Sequence, residues 1–153
     1  MIILIGLALA SILAMIAWID FRSLTIPDAL NLALASLGVI YQSIFLPNGL
    51  LLQIAAGIAV LVLLWVVRYL HARVSGQIGL GLGDVKMAGA CAIWLNPLNL
   101  PLFMFFASAF ALLFAGGSRL LRADDAAEIR RPFGPFLGAG LFLTWLGEQR
   151  VLI

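Results

Sequence analysis

Apolar residues dominate this chain from Met1 onward, in runs far longer than a water-soluble helix requires. A bilayer core of roughly 30 Å takes about 20 helical residues to cross. On that scale the pattern predicts six spans, at about 2–19, 28–46, 49–70, 84–96, 98–121 and 133–149. The expected fold is an all-α membrane protein, a bundle of about six transmembrane helices with a shortened fourth. It forms one domain over 1–153, with no linker, low-complexity tract or internal repeat.

The polar positions between the runs alternate in chemistry. The first connection holds Asp20, Arg22 and Asp28; the third holds His71, Arg73 and Asp84, with Arg68 and Lys86 at the flanking helix ends. The fifth, from Arg119 to Arg131, mixes Arg119, Arg122, Arg130 and Arg131 with Asp124, Asp125 and Glu128. The second (Leu46-Pro47-Asn48-Gly49) and fourth (Asn96-Pro97-Leu98-Asn99) are short and uncharged. Every Lys or Arg except Arg150 therefore falls on one side, which the positive-inside rule makes cytoplasmic, with both termini across the membrane. Trp18, Trp65, Trp94 and Trp145 lie near span ends and are expected as interfacial anchors.

The fourth span is too short. Asp84 to Asn96 is about a dozen residues, or roughly 18 Å of helix. Its start should lie below the cytoplasmic surface, with Ser75–Gly83 dipping toward it. Non-helical backbone at that depth must be buried in protein or line a wet cavity. Gly76, Gly79, Gly81 and Gly83 suit such a segment, because glycine permits unusual dihedrals and close backbone approach. An aqueous notch is expected in that half of the bundle.

Composition sharpens this by exclusion. With 64% hydrophobic and 10% charged residues, the chain has too little polar surface for a soluble domain. Met1–Ile19 lacks a basic n-region and a small-x-small cleavage site before a polar domain, so it reads as a retained span, not a removed signal. Cys91, the one cysteine, reads as a small core residue; no internal disulfide or multi-cysteine zinc site can be built from it. His71 reads as a solvated or headgroup-facing residue, not a ligand.

Ionisable residues at membrane depth are functional suspects. Asp20 ends the first apolar run and Asp84 opens the short fourth span, so both belong at one level. Two carboxylates sharing a site hold one proton between them. One can then act as general base on a water and the other as general acid toward an amide. Plainer readings stand beside this: Asp20 marking the boundary and pairing with Arg22, and Asp84 capping helix four. Asp28, after Pro27, reads first as a helix cap. Spacing alone leaves these open, as it does a six-helix transporter or secretion-assembly subunit in which Asp20 and Asp84 bind a cation or proton.

The motifs are more specific. Gly81-Leu82-Gly83-Asp84-Val85-Lys86 resembles the G-x-G-D-x-K signature of the prepilin peptidases, which are G-x-G-D aspartyl proteases. Asp20-Phe21-Arg22-Ser23-Leu24-Thr25-Ile26-Pro27-Asp28 resembles that family's first aspartate segment, and Arg131-Pro132-Phe133-Gly134-Pro135-Phe136-Leu137-Gly138 its Pro-Phe-Gly-Pro-Phe stretch. The resemblance covers nearly the whole chain. It implies Asp20 and Asp84 as the catalytic pair, with Gly81, Gly83, Lys86, Asp28 and Pro27 in supporting roles. Lys86 is expected to steady Asp84 or, more simply, to snorkel to the surface.

The implied activity is removal of the basic leader from prepilins or pseudopilins at the cytoplasmic face of a prokaryotic inner membrane. It needs no cofactor or metal and no covalent intermediate. Implied partners are the prepilin substrate, the lipid bilayer and, indirectly, pilus or secretion machinery, with no nucleic acid. Many family members add an N-terminal extension with paired Cys-x-x-Cys motifs and methylate the new N-terminus. The resemblance here is to the short, peptidase-only form that serves Flp/Tad pili, so methyltransferase activity is not expected.

Overall fold

In a computed structural model the apolar runs fold as six helices; residues 1–77, 79–121 and 132–151 are described. They are α1 (Ile2–Ser23), α2 (Asp28–Phe45), α3 (Leu50–Ser75), α4 (Leu82–Ala92), α5 (Leu100–Leu121) and α6 (Gly134–Val151). Among the described residues four spans, Ile2–Ser23, Asp28–Phe45, Pro47–Ser75 and Pro97–Gly117, are long and apolar enough to cross a bilayer. Large side chains such as Leu51, Leu63, Leu112 and Leu113 point outward, as they should when the surrounding solvent is lipid.

Local chemistry sets the boundaries. α1 runs one turn past Asp20, further than the apolar run predicts, and closes at Leu24 in the left-handed region (φ 52°), whose N–H returns to the Asp20 carbonyl. Pro27 opens α2 with its ring-fixed φ of −61°. α3 extends to Ser75, because nothing breaks the helix before Gly76 turns left-handed at φ 68°. His71 and Arg73, expected in a connection, thus lie on the last turns of α3, where cations suit the helix's negative end. The two uncharged connections each form a single 3-10 turn, Pro47–Gly49 and Pro97–Asn99. The charged segment 122–131, with Arg122, Asp124, Asp125, Glu128, Arg130 and Arg131, lies outside the described residues, as does the Arg119 side chain.

α4 is the hub. Its eleven residues pack against α2, α3 and α6, and Val85 and Met87–Ala92 are all buried. Lipid supplies no hydrophobic drive between helices, so close packing of small residues must hold them. Gly57 of α3 faces Gly89 of α4 so closely that a Cβ on Gly57 would stand 2.9 Å from the Gly89 carbonyl oxygen. Cys91 is fully buried in this core, as its apolar setting predicts.

The tryptophans divide. Trp18 and Trp65 are exposed, but Trp94 and Trp145 are core residues, which corrects their reading as interfacial anchors. Trp94 stacks on Tyr41 with centroids 5.4 Å apart and donates its indole N–H to the Leu34 carbonyl at 3.0 Å. Nearness to a span end fixes depth in the membrane, not the side of the helix on which a ring projects.

Candidate active site

The first aspartate is placed by helical periodicity. The buried stripe of α1 is Ile5, Leu9, Leu13, Ile16 and Asp20, so Asp20 is the last member of an inward-facing row. It is 4% exposed, and a carboxylate so placed needs donors. Its Oδ2 accepts the backbone N–H of Gly134 at 2.9 Å. Gly134 is the first residue of α6, and its N–H is one of the donors a helix start leaves without an internal partner. Arg22 instead lies over the Trp18 ring at 4.3 Å, so it does not take the place expected of it beside Asp20.

The second aspartate is placed by the start of α4. Asp84 is its third residue, in the first turn, and its Oδ2 lies close against Gly81, the N-cap. A carboxylate in a helix's first turn is favoured by the helix's positive end, so the place expected of Asp84 at the helix start is taken without excluding chemistry at the same group. Each aspartate therefore lies at the N-terminus of a helix, where anions are favoured.

Glycine makes room for both. A Cβ on Gly81 would stand 2.7 Å from Asp84 Oδ2, and one on Gly134 2.9 Å from Asp20 Oδ2. Gly81 has ordinary extended backbone (φ −65°). Of the four glycines in the 76–83 segment, only Gly76 has positive φ among the described residues. Close approach, not unusual dihedrals, is what the motif glycines supply here. The segment is held from outside by Arg68, whose Nε–H bonds the Leu80 carbonyl at 2.9 Å, and by the His71 ring, which lies against Gly79.

Asp20 and Asp84 line one cavity of about 520 Å³ together with Leu24–Ile26, Asp28, Gly79–Gly83, Lys86 and Phe133. The notch expected from the short fourth helix is present, and the first and third charged connections converge on it. The two carboxylates are within electrostatic reach of one another. A pair so placed in a polar cavity can hold one proton between them and activate a water. Among the described residues no cluster of three or more His, Cys, Asp or Glu is placed to share a metal ion.

Two supporting residues take roles other than those expected. Asp28 makes no side-chain cap, since Pro27 is the N-cap and Asp28 already lies in the helix. Its carboxylate instead receives Lys86 Nζ at 2.7 and 2.8 Å, so the ammonium neither reaches for Asp84 nor hangs free. The pair ties the start of α2 to the first turns of α4. Sequence reasoning also passed over Asn31, a buried residue of α2 whose Nδ2 reaches the Gly83 carbonyl at 3.4 Å. A polar residue on the inner face of an apolar helix was the available signal.

This is a multi-pass helical membrane protein with a carboxylate pair set in a notch at one end of its bundle. The chain belongs to the Type IV leader peptidase family, whose defining pattern matches residues 7–116, a stretch containing both aspartates and the Gly81–Lys86 motif. It is similar to proteins named prepilin leader peptidase/N-methyltransferase. That from Xanthomonas campestris is 33% identical over 95% of this chain and 51% of its own length. That from Escherichia coli K12 is 31% identical over 84% and 58%, and that from Dichelobacter nodosus 29% over 93% and 49%. The chain thus spans about half the length of these relatives. No solved structure matches it.

Proposed function

We propose that this chain is an intramembrane aspartyl endopeptidase that removes the leader from prepilins or pseudopilins by carboxylate-pair activation of water. The observation that carries the reading is the meeting of Asp20 from α1 and Asp84 from α4 in one cavity, each lying at the start of a helix. One carboxylate takes a proton from the attacking water; the other, protonated, gives its proton to the leaving amine. The relatives carry a double name, and the peptidase half of it is the part this pair can perform. The charge asymmetry of the connections supports a cytoplasmic position for the cavity. A leader there would be cut while the apolar stalk of the substrate stays in the bilayer.

The test is cleavage of a co-expressed Flp-type prepilin by wild type, Asp20→Asn and Asp84→Asn, read as a mobility shift. Wild type should cut and both variants should be inert at normal insertion levels. Cleavage by either variant at the wild-type rate overturns the proposal.

A further inference from the structure

We propose that Ile26 is a positioning residue that sets the spacing of the two aspartates; this rests on the peptidase reading of the same site. Its side chain lies between Gly83 and Gly134. A Cβ built on Gly83 would stand 3.1 Å from Ile26 Cβ, and one on Gly134 would stand 3.1 Å from Ile26 Cδ1. Gly83 immediately precedes Asp84 in the chain, and Gly134 is the residue whose N–H holds Asp20. One end of a single buried side chain thus bears on the backbone under Asp84, and the other end on the backbone that fixes Asp20.

The segment that presents Ile26 is stiff. Leu24 turns the chain back at once, its N–H bonding the Asp20 carbonyl at 2.9 Å, while the Ser23 and Thr25 hydroxyls bond one another at 2.9 Å. Pro27 follows with φ fixed by its ring. A β-branched side chain has few χ1 options, and Ile26 is only 8% exposed. Neither glycine has a side chain of its own, so Ile26 fills the space between Gly83 and Gly134. Two carboxylates that share a proton and a water depend on that distance.

Ile26→Val and Ile26→Ala test it. Valine deletes Cδ1, the contact to Gly134; alanine removes the rest of the side chain beyond Cβ, which alone still faces Gly83, and is the variant more prone to misfold. Spin labels placed by Phe21→Cys and Leu82→Cys, exposed neighbours of the two aspartates, would report the spacing in a Cys91→Ala background. Prepilin cleavage by the purified full chain would report kcat and KM. The expected result is a shifted or broadened label distance in both Ile26 variants. With it, kcat should fall on the order of 10-fold in Ile26→Val, KM staying within twofold. A label distance superimposable on wild type overturns the proposal whatever the activity. A rise in KM at unchanged kcat also overturns it, making Ile26 a substrate contact, and so does a moved distance at unchanged kcat. If the distance moves but no form of the chain cuts any prepilin, the spacer stands and the peptidase reading fails.

Discussion

Gly81→Ala separates the space a motif glycine provides from the dihedral freedom it permits. The backbone at Gly81 (φ −65°, ψ 143°) suits alanine, so the substitution introduces no strain of its own. Its methyl group would stand 2.7 Å from Asp84 Oδ2, where ordinary contact begins at 3.4 Å, so the carboxylate must retreat by about 0.7 Å. The carboxylate is pushed off the start of α4, at about 0.3–1 kcal/mol of helix-end attraction. Reduced freedom of the unfolded chain offsets about 0.4–1 kcal/mol of this. The protein should therefore still insert and fold, while the Asp84 carboxylate, the proposed reacting group, sits wrongly. A displacement near 1 Å costs on the order of 100-fold in rate, so a loss of about 10- to 100-fold is expected. The assay is a time course of leader removal from a co-expressed prepilin, normalised to inserted enzyme. Gly76→Ala is the control with the opposite properties. It has open space but φ 68°, and should lose about 1–2 kcal/mol of stability with the rate of the folded enzyme within twofold of wild type. Cleavage by Gly81→Ala within twofold of wild type would show that the Asp84 carboxylate is free to move without consequence.

Three further outcomes follow from the packing. Reversing one partner of the Asp28–Lys86 pair (Asp28→Lys or Lys86→Asp) should lower activity several-fold, and the double reversal should restore most of it. Because the pair is largely exposed, its coupling in thermal unfolding should be no more than about 1 kcal/mol; failure of the double reversal to rescue would deny the pair its tethering role. Trp94→Phe removes the indole bond to the Leu34 carbonyl and should lower stability in detergent by about 0.5–1.5 kcal/mol, read by thermal unfolding. Gly89→Val would set a Cβ 2.8 Å from Leu61 Cβ and near the Gly57 carbonyl; it should cost about 1–3 kcal/mol by the same measurement, and an unchanged melting temperature would show that α3 and α4 are not closely packed.

What the sequence made legible was depth. Apolar run length located all six helices, and polar clusters located the ends that converge on Asp20 and Asp84. Direction around each helix was harder to read. Trp94 and Trp145 were expected as interfacial anchors from their places along the chain but are buried core residues, and only neighbouring helices determine that. The extension of α3 through His71 and Arg73 was hidden because charge alone does not end a helix; the left-handed Gly76 does. The Lys86–Asp28 bond joins residues far apart in the chain across two helices, and spacing carries no signal for it. Asp20 was an exception, since it continues the Ile5, Leu9, Leu13, Ile16 row at helical spacing.

The shortness of α4 and the chemistry at its start have one cause. A helix that touches lipid must match the bilayer thickness, but α4 is enclosed by α2, α3 and α6 and is released from that requirement. Its Ala88-Gly89-Ala90-Cys91-Ala92 stretch is too small-sided to cover a lipid-facing surface and well suited to letting three neighbours approach. Eleven residues leave its N-terminus short of the bundle end, and the space above becomes the cavity. That N-terminus and the start of α6 then bring two helix starts to one place, and an aspartate lies at each. The helix starts favour the negative charge that burial opposes. The proximity of the two carboxylates in turn favours a single shared proton, the state a water-activating pair requires. A lengthened α4 that reached the bundle end would fill the cavity and carry Asp84 away from Asp20, so the truncated helix is part of the site.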